Sequence, residues 1–307
     1  MSDGAAAGLH RAAETPTGLV ILGHPVAHSL SPLFQQAALD ACGLPLRYER
    51  RDTPPDALDA TLRDLQMRRI GGNATIPHKE SMFARAARLT PIAERAGAVN
   101  TFWWDGSMLV GHNTDVDGVK ATLHALGRVP LGGDIVVLGA GGAAAAVLIA
   151  LAGYGAGTGH RVHLVARTPA RAEALLERVG LAASIHGHGH VPTAVWRNTA
   201  LVVNTTPIGM QGGDMPMDPA RLEQRAAVFD LVYRAEGTPW VHRARSLGLR
   251  AEDGLRMLVE QGASAFECWF GQPAPRAVMW TALGQGVPPL DDVRPLTRAG
   301  AVALPPR

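Results

Sequence analysis

Residues 134–147 read DIVVLGAGGAAAAV and join a short apolar run to an alanine-rich segment through glycines. The run at residues 136–138 is typical of a strand buried on both faces of a parallel sheet. The glycines at residues 139–142 predict a tight turn, and the alanines after them predict a helix packed closely on the sheet. Backbone N–H groups at the start of that helix suit the pyrophosphate of a dinucleotide. The pattern is looser than the full dinucleotide fingerprint, so a plain strand-to-helix turn is the alternative.

The length and composition of the chain indicate a two-domain globular protein that acts on a small molecule. Its 307 residues exceed what one hydrophobic core usually spans. The formal net charge is only +2, and no basic run stands out. This balance argues against nucleic acid or an anionic membrane surface as the main partner. The assembly state is left open, with a homodimer as one candidate.

Cysteine usage and the chain's apolar runs predict a cytoplasmic protein. Cys42 and Cys268 lie far apart without metal-type spacing, which favours a reducing compartment over a disulfide scaffold. The N-terminal residues lack the apolar core of a signal peptide. The longest apolar run, at residues 143–152, is too short to span a bilayer. We therefore predict no membrane span.

Short β-branched runs alternate with helical stretches rich in alanine, leucine and arginine, which predicts an α/β protein with mostly parallel sheets. Strands are predicted at residues 18–22, 46–50, 71–75, 134–138, 162–166, 201–204 and 228–231. Residues 1–17 and the proline-rich residues 286–307 are predicted to be flexible tails.

The position of the glycine turn predicts where the domains divide. A dinucleotide-binding unit normally opens its own domain, so residues 18–117 are predicted to form a separate module and residues 118–254 the nucleotide-binding domain. Residues 254–271 carry the apolar spacing of a long amphipathic helix. If that helix returns to the first module, residues from about 255 to 285 complete a discontinuous domain, and a cleft lies between the two domains.

Two polar clusters supply a candidate acid/base pair. GGNATIPHKE, at residues 71–80, places Lys79 just after a strand-like run, where a partly desolvated lysine can exchange a proton with a substrate. GHNTDVDG, at residues 111–118, offers Asp115 as its partner. The alternatives are a solvated surface lysine and an aspartate that only forms a turn or a helix cap.

A third cluster, GHPVAHSLSP at residues 23–32, presents Ser29 and Ser31 after the first strand. Ser31 followed by Pro32 predicts a helix start with Ser31 as its cap, which is compatible with ligand contacts.

The segment after residue 166 bears on the choice of nucleotide. An NAD-binding domain is expected to carry an acidic residue there for the ribose hydroxyls, whereas this chain has Arg167, Thr168 and Arg171. Arginines suit the extra phosphate of NADP, and an ordinary basic helix start is the alternative.

The segment IHGHGH brings three histidines close together, at residues 186, 188 and 190. An extended backbone would place all three imidazoles on one side. No cysteine, aspartate or glutamate is near, and the glycines favour a solvated loop, so we predict no metal site.

In chain order these clusters resemble the shikimate dehydrogenase family, from about residue 18 to residue 271. The matching segments are GHPVAHSLSP, GGNATIPHKE, AGAVNT, GHNTDVDG, VLGAGGAA, ARTPARA, VNTTPIGM, DLVY and GLRMLVEQGASAF. The resemblance implies an NADP-dependent oxidoreductase that reversibly reduces 3-dehydroshikimate to shikimate in chorismate and aromatic amino-acid biosynthesis. It also implies an N-terminal α/β substrate domain and a Rossmann NADP-binding domain.

The resemblance assigns roles to individual residues. Lys79 and Asp115 fall on the family's catalytic pair. Substrate positions are Ser29, Ser31, Thr75, Asn100, Asp115, Tyr233 and Gln261. Cofactor positions are Gly139, Ala140, Gly141, Gly142, Ala143, Ala166, Arg167, Thr168, Arg171, Leu231 and Gly254.

Three departures from the family pattern bear on specificity. Ala166 replaces a usual asparagine, Gln35-Gln36 replaces a frequent His-Asn pair, and Ala74 replaces a common valine. A quinate/shikimate dehydrogenase of broader specificity, or one acting in a secondary pathway, is therefore one alternative. A non-catalytic NADP-binding regulator is another. Retention of Ser29 and Ser31 favours shikimate, and retention of Lys79 and Asp115 favours an enzyme.

Overall fold

The computed structural model describes residues 12, 14–127, 132–154 and 159–286. Within them the strands and helices form two separate six-stranded sheets with helices packed against them. Among these residues, no helix is both long enough and apolar enough to cross a membrane. Most of the two predicted tails lies outside the described residues. The exceptions are residues 12, 14–17 and 286. The N–H groups of Ala12 and Thr17 donate to Cys268 O and Arg69 O, so this end of the predicted N-terminal tail is held in place.

The first sheet has the order β2-β1-β3-β5-β6-β4 and is mixed, with three parallel and two antiparallel strand pairs. β1 pairs in parallel with β2 and β3, whereas β5 pairs antiparallel with β3 and β6. Its strands are β1 (Gly18–Gly23), β2 (Tyr48–Asp52), β3 (Ile70–Ala74), β4 (Arg88–Leu89), β5 (Thr101–Asp105) and β6 (Met108–His112). The helices between them are α1 (Ser31–Ala41), α2 (Leu58–Met67), α3 (Lys79–Arg85) and α4 (Pro91–Ala96), and α5 (Asp115–Ala125) follows β6.

The second sheet has the order β12-β11-β10-β7-β8-β9 and is wholly parallel, as a Rossmann domain requires. Its strands are β7 (Asp134–Leu138), β8 (Arg161–Val165), β9 (Ser184–His186), β10 (Thr199–Asn204), β11 (Ala227–Asp230) and β12 (Arg250–Glu252). The helices are α6 (Gly142–Tyr154), α7 (Pro169–Val179), α8 (Thr193–Asn198) and α9 (Pro239–Ser246). Single-turn 3-10 helices lie at Pro55–Ala57 in the first part and Pro219–Arg221 here.

The chain's last helices, α10 (Leu255–Phe270) and α11 (Arg276–Ala282), pack against elements of the first sheet. α10 lies along α5 and touches α1, and α11 packs on α1. Phe266 and Trp269 are buried in one apolar cluster with Phe34 of α1 and Leu19 of β1. The predicted return of the C-terminal helix to the first module is therefore present, while the numerical domain bounds remain predictions.

One glycine allows α10 to lie so close to α5. A Cβ atom at Gly118 would stand 2.5 Å from the backbone oxygen of Met257 and 3.1 Å from Gln261 Cβ. No larger residue fits without moving the helices apart. This contact fixes Gln261 beside the N-terminal turn of α5, which begins at Asp115.

Candidate functional site

Lys79 and Asp115 form an ion pair at the centre of the site. Each is the first residue of its helix, α3 or α5. Lys79 follows β3 and Asp115 follows β6, two strands of the first sheet that are separated by β5. The Nζ atom of Lys79 lies 2.6 Å from Asp115 Oδ2. The side chain of Asp115 is only 5% exposed, and that of Lys79 is 22% exposed. The pair is thus partly desolvated and still open to a ligand on the lysine side.

Asn100 holds the second oxygen of Asp115, and Gln261 accepts a hydrogen bond from Asn100 to complete the polar group. The amide nitrogen Nδ2 of Asn100 lies 2.9 Å from Asp115 Oδ1 and 3.1 Å from Gln261 Oε1. Its oxygen Oδ1 accepts the backbone N–H of Thr114 at 2.8 Å. Gln261 Nε2 donates to Leu258 O, which anchors the amide to α10. Residues from clusters that are far apart in the sequence therefore meet around the carboxylate of Asp115.

A series of buried hydrogen bonds lies behind this group and was not predicted from the sequence. The hydroxyl of Tyr48 donates to Asn73 Oδ1 at 2.7 Å, and Asn73 Nδ2 donates to Asn100 O and to Thr101 Oγ1, both at 3.0 Å. Ser31 also hydrogen-bonds Tyr48, whose pKa is raised above its ordinary value because the ring is buried. An asparagine inside a buried strand run, as in residues 71–75, is the sequence signal that could have revealed these hydrogen bonds.

Ser29 lies in the loop between β1 and α1, and Thr75 directly follows β3, while Ser31 takes a different position from the one predicted. Ser29 Oγ accepts the backbone N–H of Ser31 at 3.3 Å. The cap residue of α1 is Leu30, without a side-chain cap bond, and Ser31 is the first helical residue, so its predicted capping role is wrong. Ser31 is buried, and its hydroxyl bonds Tyr48 instead of capping the helix. Thr75 is half-buried, and its backbone N–H donates to Leu22 O.

Tyr233 reaches from the second sheet to the serine segment. It follows β11, and its hydroxyl accepts a hydrogen bond from the backbone N–H of Leu30. Burial raises the pKa of Tyr233, and the bond from Leu30 opposes that rise. The residue therefore joins the Rossmann part to the segment between Ser29 and Ser31.

The glycine turn lies at the carboxyl edge of the second sheet. Gly139 has φ +111, a conformation that side chains rarely adopt, and a Cβ there would stand 2.5 Å from Thr205 Oγ1. At Gly141 a Cβ would meet nothing within 4 Å, so the space beside the turn is open. Ala140, Gly142 and Ala143 are half-buried. Helix α6 begins at Gly142, so its free N–H groups face this space.

The residues predicted to choose between NADP and NAD lie at the end of β8. Arg167 and Thr168 are exposed, and Thr168 precedes α7 without making a side-chain cap bond. Ala166 is buried, and its N–H donates to His186 O. Arg171 is exposed and pairs with Glu80 of α3, Nη2 to Oε1, at 2.7 Å. Arg167, Thr168 and Arg171 thus lie at the surface, whereas Ala166 does not. The carboxylate partner of Arg171 is the residue next to Lys79 in sequence.

Leu231 and Gly254 lie together beside the carboxyl ends of β10 and β11. The N–H of Leu231 donates to Asn204 O, and that of Gly254 donates to Val232 O. A Cβ at Gly254 would stand 2.1 Å from Leu231 O. Both residues therefore adjoin the edge that carries the glycine turn.

The histidines of IHGHGH do not share one face. His186 ends β9 and is half-buried, with Nε2 2.9 Å from Nδ1 of His163. His188 and His190 are exposed and lie beyond a turn in which His190 N–H donates to Gly187 O. The solvated-loop prediction is thus wrong for His186, because a strand pairs it with β8. In the described part of the chain no group of three or more His, Cys, Asp or Glu residues is placed to hold a metal ion.

Comparison with known proteins matches two family models to this chain. The shikimate dehydrogenase substrate binding domain matches residues 21–102, and the shikimate 5'-dehydrogenase C-terminal domain matches residues 254–283. The two matches fall on the first sheet and on the returning helices.

Two curated relatives and one solved structure resemble nearly the whole chain. The shikimate dehydrogenase (NADP(+)) of Methylobacterium radiotolerans is 44% identical over 85% of this chain and 93% of its own. That of Chelativorans sp. is 41% identical over 86% and 91%. The crystal structure of shikimate 5-dehydrogenase from Thermus thermophilus in complex with NADP(H) and shikimate is 40% identical. It has a TM-score of 0.77 and covers 87% of this chain and 98% of that one.

Proposed function

The chain belongs to the shikimate dehydrogenase family, and from this we propose that it catalyses the reversible NADPH-dependent reduction of 3-dehydroshikimate to shikimate. The observation that carries the proposal is the ion pair between Lys79 Nζ and Asp115 Oδ2 at 2.6 Å, held by Asn100 and open on the lysine side. A non-catalytic NADP-binding regulator would have no use for a partly desolvated acid/base pair. The reaction is a step of chorismate and aromatic amino-acid biosynthesis.

Lys79 is the proton carrier in this proposal. When bound, NADPH supplies a hydride to the carbonyl carbon of the substrate. The oxygen becomes negative as the hydride arrives, and the Lys79 ammonium gives it a proton. Asp115 orients the ammonium, while Asn100 fixes the carboxylate. In the reverse direction, neutral Lys79 takes the proton from the substrate hydroxyl.

The second sheet fits the cofactor. Gly139 allows the tight turn, and Gly141 leaves room for a pyrophosphate at the start of α6, where N–H groups and the positive end of the helix dipole favour an anion. Arg167 and Thr168 are exposed at the position that faces the ribose in such domains. Their charge and hydroxyl suit the 2'-phosphate of NADP.

The substrate side is built from both parts of the chain. We propose that Ser29, Ser31, Thr75, Asn100, Tyr233 and Gln261 bind the hydroxyls and the carboxylate of shikimate. Ser29 lies on a loop of the first sheet, and Tyr233 reaches over it from the second sheet. Ser31 is bonded to Tyr48, so its contribution to binding depends on that buried partner.

The free thiols Cys42 and Cys268 support a cytoplasmic location for this enzyme, because an oxidising compartment favours disulfides. Burial raises the pKa of the Cys268 thiol to about 12, which makes it unreactive. A homodimer stays a prediction, which light scattering of the purified protein measures.

The test is an assay of NADPH formation from NADP and shikimate, with quinate in a parallel arm. We expect turnover with shikimate, 3-dehydroshikimate as the product by mass spectrometry, and a clear preference for shikimate over quinate. Comparable kcat/KM values for both would favour the broader quinate/shikimate alternative. Tight NADP binding without turnover of either compound would favour the regulator.

A further inference from the structure

One face of edge strand β2 holds the loop that carries Ser29. Side chains at alternate positions of a strand share a face, which places Tyr48, Arg50 and Asp52 together. Each of the three contacts the segment at residues 24–31, through Ser31, Ser29 and Val26 respectively. The sequence motifs had drawn attention to none of them.

Arg50 holds the carbonyl of Ser29. Its Nε and Nη2 atoms both donate to Ser29 O, at 3.2 Å and 2.8 Å. Charged donors make stronger hydrogen bonds than neutral ones, and the planar guanidinium fixes direction as well as distance. The peptide after Ser29 is therefore fixed from outside the loop.

Asp52 holds the other end of the same loop. Its Oδ1 accepts the backbone N–H of Val26 at 3.1 Å, and its Oδ2 lies 3.2 Å from His24 Nδ1. Charged residues on an edge strand commonly serve only to prevent pairing with another chain. Here Arg50 and Asp52 instead direct their polar atoms to the backbone of one loop.

We propose that Arg50 is a positioning residue for Ser29 and, with Asp52, sets the affinity for the substrate. The inference rests on the proposed function, in which Ser29 binds shikimate. The Ser29 hydroxyl already accepts the N–H of Ser31, so its own proton is left to donate to the ligand. With the Ser29 peptide held, the hydroxyl keeps one position. Without Arg50 the Ser29 hydroxyl samples several positions, and the substrate binds well to only one of them.

The chain supplies a matched control in the next residue. Arg51 is exposed like Arg50 but lies on the opposite face of β2, where Nη2 reaches Asp64 Oδ2 of α2 at 3.3 Å. Arg50→Met should raise KM for shikimate about three- to tenfold, with kcat, KM for NADP and Tm nearly unchanged. Arg51→Met should leave all four values unchanged. Arg50→Lys should restore part of the affinity, because one charged donor remains.

A double-mutant cycle with Ser29→Ala separates positioning from direct contact. If Arg50 acts through Ser29, the double variant should show the KM of Ser29→Ala alone, within about twofold. Multiplied losses would mean that Arg50 acts on the substrate independently of Ser29 and would overturn the proposal. An unchanged KM in Arg50→Met would overturn it as well.

Hydrogen exchange tests the tether without relying on activity. Amides of residues 24–31 should exchange faster in Arg50→Met than in wild type and Arg51→Met, while the core strands keep their protection. Equal exchange in all three proteins contradicts the inference. A wild type that fails to oxidise shikimate would instead contradict the proposed function, so the two failures are distinct.

Discussion

Arg171 of α7 and Glu80 of α3 join the two parts of the chain, with Nη2 2.7 Å from Oε1. Glu80 follows Lys79 directly in sequence, and Arg171 is one of the three residues expected to meet the 2'-phosphate of NADP. The two side chains are 58% and 60% exposed. If Arg171 binds the 2'-phosphate as proposed, the carboxylate of Glu80 competes with that phosphate for the same guanidinium.

This competition predicts that Glu80→Gln improves NADP binding. An exposed ion pair is worth up to about 1 kcal/mol, so freeing Arg171 should lower KM for NADP by up to about fivefold. KM for NAD should not change, because NAD lacks the phosphate. Glu94→Gln, which removes an exposed carboxylate from α4, is the control. A rise in KM for NADP would show that the pair assists cofactor binding instead.

Cofactor choice should depend on Arg167. A charge-assisted bond to the 2'-phosphate is worth about 1.5–3 kcal/mol, so wild type should prefer NADP by at least about tenfold. Arg167→Asp should reverse the preference, because a carboxylate repels the phosphate and accepts bonds from ribose hydroxyls. Steady-state kinetics with both nucleotides measure this, with the exposed Arg197→Asp as control. Equal use of NAD and NADP by wild type would contradict the assignment.

Ser29→Ala and Gln261→Ala should weaken substrate binding more than turnover. Each lost neutral hydrogen bond costs about 0.5–1.5 kcal/mol, which corresponds to a rise in KM of roughly two- to tenfold. Gln66→Ala serves as the control, because the Gln66 side-chain amide donates to Ser107 O away from the site. If KM for NADP rose as much as KM for shikimate, the variants would be reporting a folding defect.

Stability should fall in acid partly through His186. Burial, and secondly the charge of His163, lower the pKa of His186 from its ordinary value, so the unfolded chain binds the proton more readily than the folded one. The free energy of unfolding therefore decreases as pH falls through about 6.5 and below, and this contribution is constant above it. Urea unfolding from about pH 8 to pH 5.5 should show a shallower decline for His186→Asn than for wild type.

The matched control for that titration is His188→Asn, because His188 is exposed on the same segment. It should follow the wild-type decline. Parallel curves for His186→Asn and wild type would exclude His186 as a source of the pH dependence.

Several elements could be predicted because their signals are local. The seven predicted strands occur within two residues of their expected positions, since apolar β-branched runs and glycine turns mark them. The hairpin of β5 and β6 also has a local signal, Asp105-Gly106, although neither strand was among those predicted. Strands β4, β9 and β12 have only two or three residues, too few for any periodicity to show.

The contacts within the site could not be predicted from local sequence patterns. The family resemblance assigned Lys79 and Asp115 to one site, but their spacing of 36 residues contains no information on their distance. The hydrogen bond between Ser31 and Tyr48 forms because the fold buries the tyrosine ring beside Ser31. No local sequence pattern reveals this partner. Arg171 and Glu80 met through long exposed side chains, whose partners depend on how the two sheets face each other.

The central claim is that Lys79 and Asp115 act as one unit in proton transfer, and turnover in a double-mutant cycle tests it most directly. Lys79→Ala and Asp115→Asn should each lower kcat about 10²- to 10⁴-fold, while NADP affinity stays nearly unchanged. Lys120→Ala, on the same helix as Asp115 and exposed, should keep wild-type turnover. The account predicts that the double variant is no slower than the slower single variant. Losses that multiply, or a Lys79→Ala enzyme that retains more than about a tenth of wild-type kcat, would contradict it.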